Sequence, residues 1–147
     1  MKTFRKHLNE KLKDKQFKKL YVKQGNKRKD IMKNGELSCA YFVSSILTLF
    51  KLIDRPHRTV DGTTKVLEKY GWKKVRKAKE GCILVWEEKN FGKECHKHIG
   101  FYIGKDRAIS NSSKKKVPAK HHWTFGTTKG KPKLKITDIY INNNLIA

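Results

Sequence analysis

Acidic residues are scarce in this chain. Only 13 Asp and Glu stand against 36 Lys and Arg, which leaves a formal charge of +23 over 147 residues. That imbalance admits nucleic acid, anionic membrane and anionic wall polymer as non-specific partners, and it carries no information about fold. A lysine-rich solvated surface with no dedicated partner is the alternative. Cysteine is also sparse: Cys39, Cys82 and Cys95 make an odd count at irregular spacing, which argues against a disulfide-stapled module. Long apolar runs are missing. The longest, from Cys39 to Phe50, is broken by Ser44, Ser45 and Thr48 and ends at Lys51, short of the roughly 18 apolar residues a spanning helix needs. The charged start (Lys2, Arg5, Lys6) meets Asn9, Glu10 and Lys11 where the apolar core of a secretory signal would lie. The expectation is therefore a cytoplasmic protein, with release or non-classical export as its route outward. No internal repeat and no RRM, KH or zinc-finger signature is visible.

What is present fits one globular unit, because 147 residues with 37% apolar content can bury a core without covalent staples. Residues 1–33 form a basic segment with 13 Lys and Arg against three acids. Phe4, Leu8 and Leu12 share one helical face, and Phe17, Leu20 and Tyr21 share another, ending near Gly25-Asn26. Such helices either pack on the domain with a lysine-rich outer face or bind an anionic surface. Residues 34–147 then form the domain proper.

Ser38 stands where an N-cap belongs. Phe42, Val43, Ile46, Leu47 and Phe50 follow at helical spacing, which predicts a buried helix over 39–53. Asp61 is the candidate cap of a second helix near 63–70, with Gly71 as its stop. The period then changes. Residues 82–86, 98–103, 107–110 and 139–141 read as strands, and 112–133 as a long loop around His121-His122-Trp123. Helices followed by strands predict an α+β domain with an antiparallel sheet.

Two residues carry candidate chemistry. Cys39 falls in the first turn of its helix, where free N–H groups and the helix dipole favour a thiolate and lower its pKa below about 8.5. A small apolar packing role is the plain alternative for a helix cysteine. His98 opens a strand of alternating apolar residues. It is distant from Cys39 in sequence, as the base of a cysteine hydrolase usually is.

Together these segments resemble the NlpC/P60-like cysteine peptidases, over about residues 36–112. Ser38-Cys39-Ala40-Tyr41-Phe42-Val43 looks like the nucleophile helix of that family. Glu80-Gly81-Cys82-Ile83-Leu84-Val85-Trp86 resembles the strand after its "PGD" turn, with Cys82 in place of the usual Asp. His98-Ile99-Gly100-Phe101-Tyr102-Ile103-Gly104 matches its "HVGIYxG" strand. The resemblance implies a papain-like fold and a hydrolase of peptide or amide bonds, with cell-wall peptides as the favoured class. A monomer without cofactor is expected, and no metal, because the Cys and His spacing is irregular. Cys39 would be the nucleophile, His98 the base, and Asn111 on the next strand the orienting group. The family offers no counterpart for His121, His122 and Trp123. They are assigned to the substrate groove, with supply of the third catalytic group or a plain surface role as alternatives.

Rival readings start from other residues. Cys95-His96-Lys97-His98, completed by Cys82, His121 or His122, is a possible zinc set, although its spacing is irregular. An amidase, deamidase or acyltransferase of the same fold is the enzymatic alternative. The charge, with Trp72, Trp123 and Tyr102, supports a nucleic-acid-binding module without catalysis.

Overall fold

The computed structural model describes residues 4, 6, 21–24, 27–30, 39–91, 94–112, 115 and 117–143. Among these residues the chain is α+β, with two α-helices and a six-stranded antiparallel sheet. Helix α1 spans Cys39–Leu49 and α2 spans Val60–Leu67, followed by one 3-10 turn at Glu68–Tyr70. The strands are β1 (Tyr21–Gln24), β2 (Lys27–Asp30), β3 (Trp72–Lys74), β4 (Ile83–Phe91), β5 (Glu94–Gly104), β6 (Arg107–Asn111), β7 (Pro118–His122), β8 (Thr127–Thr128), β9 (Lys131–Pro132) and β10 (Ile136–Asn142). The main sheet runs in the order β3-β10-β4-β5-β6-β7. No helix among the described residues is long and apolar enough to cross a membrane.

Helix α1 forms where its spacing predicts, with Phe42, Val43, Ile46 and Leu47 buried on one side. It stops earlier than residue 53 because Lys51 turns left-handed (φ 58°). The Leu52 N–H then reaches the Leu47 carbonyl at 2.8 Å, and the Lys51 N–H reaches Thr48 at 3.0 Å. This double closure is the Schellman ending, made here without glycine. Helix α2 is capped by Thr59, whose hydroxyl accepts from the Gly62 N–H at 2.9 Å. Asp61 instead lies inside the first turn, where its charge suits the helix dipole. Gly71, at φ 85°, ends the 3-10 turn as expected.

The expected strands are all present, and the span from 112 to 133 is more ordered than a loop. It contains β7 and the small β8–β9 hairpin. Tyr21 lies in a strand and not in a helix, because Tyr21–Gln24 pairs antiparallel with Lys27–Asp30 and obtains its backbone hydrogen bonds there. Leu8, Leu12, Phe17, Leu20 and Ser38 lie outside the described residues. Phe4, which is helical, is buried edge-on against Phe50 and Phe101 at 5.1 and 5.3 Å, so this part of the basic segment belongs to the core.

The two faces of the sheet are covered differently. Ile83, Val85, Ile99, Phe101, Ile103 and Ile109 face α1 and form the main core. Leu84, Trp86, Tyr102 and Ala108 face the other way and are covered by Leu134, Trp123 and Phe125 from the chain after β7. A sheet buried on both sides needs apolar residues at both parities, which is why Ile83–Trp86 reads as an unbroken apolar run.

Candidate functional site

Strand alternation places His98 on the face away from α1, with Gly100 and Tyr102. The β5–β6 connection fixes what it meets there. Lys105 and Asp106 both adopt positive φ (52° and 58°) between the paired residues Gly104 and Arg107, the geometry of a tight hairpin turn. The resulting register sets Gly100 opposite Ser110. On the next strand Ser110 pairs with Ala119 and Ala108 with His121. His98, Ser110 and His121 thus lie diagonally across three strands on one face, within side-chain reach.

They form a continuous hydrogen-bonded chain. His98 Nε2 is 2.8 Å from Ser110 Oγ, which is 2.7 Å from His121 Nε2. His121 Nδ1 in turn lies 2.7 Å from the carbonyl of His122. A carbonyl only accepts, so His121 Nδ1 carries the proton and its Nε2 accepts from the Ser110 hydroxyl. Ser110 then accepts from His98 Nε2–H, and Nδ1 is left as the acceptor nitrogen of the His98 ring. Burial pushes the His121 pKa down from 6.5 to about 4. The His122 carbonyl opposes that shift, and the charges of Arg107 and His122 add to it. His121 is therefore neutral near pH 7, as this polarity requires. Phe125 stacks on the His121 ring at 4.0 Å, and Trp86 lies 5.3 Å from His98, so the chain is walled by aromatic rings.

Two features make room for the chain. A Cβ on Gly100 would come within 2.7 Å of both the Ile109 carbonyl and the Ser110 Cβ, and 3.1 Å from the Trp86 ring. In addition, β4 carries an extra residue between Trp86, opposite His98, and Lys89, opposite His96. Such a bulge bends a strand and re-aims nearby side chains.

Cys39 approaches from the other side. It is the first residue of α1, half-buried and packed against the main core. The backbone N–H groups of Ile99, Ala40 and Cys39 itself are directed at the sulfur. Ile99 directly follows His98, so the thiol meets β5 one residue from the candidate base, on the opposite face of the strand from its ring. Burial nevertheless dominates: it raises the thiol from 9.0 to about 11, and the three N–H groups only partly offset the rise. The expectation of a lowered pKa at the helix start is corrected on this point, because the site is desolvated and the resting sulfur is a neutral thiol.

The other candidates are distributed as follows. Asn111 is buried at the end of β6, and alternation directs it to the α1 face, while Ser110 takes the position beside His98. His122 Nδ1 accepts from the Thr124 N–H at 3.2 Å and lies 2.8 Å from the Thr124 hydroxyl, which donates to the Gly126 carbonyl at 2.9 Å, and these contacts tie the turn after β7. The Trp123 carbonyl accepts from Trp86 Nε1 at 2.7 Å, and its ring lies 5.3 Å from Tyr102. Of the three loop residues, His121 is therefore the one joined to His98. Cys82 is fully buried and its thiol is pushed up to about 11 by burial. The side chain of Cys95 lies outside the described residues. Among the described residues no group of three or more His, Cys, Asp or Glu is placed to hold a metal ion.

Ser110, Gly100 and Phe125 escape a reading of the sequence alone. A signal for Ser110 exists: with Ile109 taken as a core residue, alternation puts 110, not 111, on the face of His98. The roles of Gly100 and Phe125 have no comparable local signature. Compared with known proteins, the chain matches no family model and no curated relative.

Proposed function

We propose that this chain is a papain-like cysteine hydrolase of NlpC/P60 type, cleaving peptide or amide bonds, with cell-wall peptides as the favoured class. The observation that carries this reading is the meeting of two arrangements at β5. The Cys39 sulfur lies at the Ile99 amide, and the preceding residue, His98, is held by Ser110 and His121 with its Nδ1 as acceptor.

The chemistry follows from the protonation states. A thiol raised to about 11 is a poor nucleophile at neutral pH, so its proton must leave as the carbon–sulfur bond forms. In this scheme His98 Nδ1 takes that proton through one intervening water, because its ring and the thiol lie on opposite faces of β5. The imidazolium is then stabilised through Nε2–H and Ser110, and it returns the proton to the leaving amine. Water attacks the thioester with His98 again as base, releasing the acid and restoring the thiol. The Cys39 backbone N–H, at the start of α1, supplies one donor to the oxyanion. In this scheme Ser110 and His121 orient the base, the role first assigned to Asn111.

The test is hydrolysis of cell-wall peptides and of generic amide and ester substrates by wild type, Cys39→Ala and His98→Ala. Both variants are expected to lose nearly all turnover, since nucleophile and base act as a unit. Full activity of Cys39→Ala on every substrate the wild type cleaves would remove the proposal.

A further inference from the structure

A cleft of about 850 Å³ opens beside β3 and β10 and includes none of His98, Ser110 and His121 in its lining. Tyr102 and Trp123 form its aromatic floor with Ile139, and Lys74, Arg76 and Lys77 form an exposed basic rim. Among the described residues the rim is neutralised at Lys74 alone. Asp138 is the acid that lines the cleft, and it sits 3.6 Å from Lys74. Among the described residues neither Arg76 nor Lys77 has an ion-pair partner.

The two parts of the cleft suit different parts of one ligand. Cations on a rim attract phosphates but do not require an aromatic floor. An indole half-open to solvent beneath them offers a flat apolar surface, which a bare polyanion cannot use. A strand of nucleotides uses both, with phosphates on the rim and an unpaired base against the ring. Duplex grooves are read by a protruding helix or ribbon, so a concave surface favours the single strand. The net charge of +23 adds long-range attraction for such a ligand.

We propose that this cleft is a binding site for single-stranded nucleic acid, with phosphates on Arg76 and Lys77 and a base stacked on Trp123. The site is independent of Cys39 and His98, so it stands or falls apart from the hydrolase reading.

The probe is a short fluorescein-labelled oligothymidylate, titrated with the full chain and read by fluorescence anisotropy. Tryptophan emission gives a second readout specific to the cleft, because Trp72 and Trp86 are buried and Trp123 is the partly open one. Oligothymidylate should quench that emission, and Trp123→Ala should weaken binding by at least about fivefold, the scale of one lost stacking contact. Arg76→Gln/Lys77→Gln changes only exposed side chains and leaves the core untouched. It should weaken binding more than the charge-matched control Lys51→Gln/Lys65→Gln, on exposed residues of the helical side. Equal losses from the two double variants would assign binding to overall charge and overturn the site. Equal competition by inorganic polyphosphate, with no change in tryptophan emission, would overturn the nucleotide assignment.

Discussion

Gly100 lies directly across the β5–β6 pair from Ser110, and a Cβ built on it would stand 2.7 Å from the serine Cβ. The same Cβ would press on the Ile109 carbonyl at 2.7 Å, and a backbone atom in a paired strand cannot swing aside as a side chain can. Gly100→Ala is expected to destabilise the fold by about 1–3 kcal/mol, the usual range for overpacking. It should also shift Ser110 away from His98. Denaturant unfolding measures the first effect, and the imidazole NMR signals of His98 report the second.

Loss of either orienting group should slow the reaction without abolishing it. Ser110→Ala cuts the link between the two histidines, and His121→Phe removes the acceptor that sets the serine hydroxyl. Each is expected to lower kcat by roughly tenfold to a hundredfold, less than the loss of the base itself. Asn111→Ala, on the opposite face, should leave kcat much closer to wild type. A severe kcat loss in Asn111→Ala with silent Ser110→Ala would return the orienting role to the asparagine.

Stability should fall in mild acid because of His121. Its pKa is 6.5 when unfolded and about 4 when folded, so between these values the unfolded chain binds the extra proton. The stabilising contribution is complete above pH 6.5 and is lost as pH falls toward 4. It amounts to on the order of 3 kcal/mol at the level of 1.36 kcal/mol per unit. Unfolding free energies measured across pH 4–7 should show this slope in wild type and a shallower one in His121→Phe.

Thiol reactivity should distinguish the cysteines by access and not by acidity. Cys39 and Cys82 are both raised to about 11, but Cys39 is half-buried and Cys82 is 1% exposed. Iodoacetamide should label native Cys39 slowly at neutral pH, with a rate that climbs through the alkaline range, and should reach Cys82 only on unfolding. Rapid labelling of Cys39 in mild acid would mean that an imidazolium–thiolate pair already exists at rest.

Phe4 offers a test of whether the basic segment is integral to the domain. Its ring fills the space between Phe50 and Phe101 and is 2% exposed. Phe4→Ala should cost about 3 kcal/mol or more in denaturant unfolding, the scale of a phenylalanine removed from a core. A change below about 0.5 kcal/mol, typical of surface substitutions, would place the segment outside the cooperative unit.

Elements whose signals are local could be read along the chain. The spacing of Phe42, Val43, Ile46 and Leu47 makes α1, Gly71 ends the turn after α2, and the apolar runs at 83–86 and 99–103 make the central strands. Helix periodicity, glycine at positive φ and β patterning act within a few residues, so a single chain displays them. Long-range packing and strand register set the rest. The identity of the neighbour of His98 depends on register between β5 and β6, and one residue of slip exchanges Ser110 for Asn111 or Ile109. The recruitment of His121 needs a third strand laid beside the second, which a Lys- and Gly-rich segment does not announce. The thiol pKa depends on the balance between the N–H groups at a helix start and the desolvation imposed by packing. The first is local and favours the thiolate. The second comes from the whole core, and here it is larger.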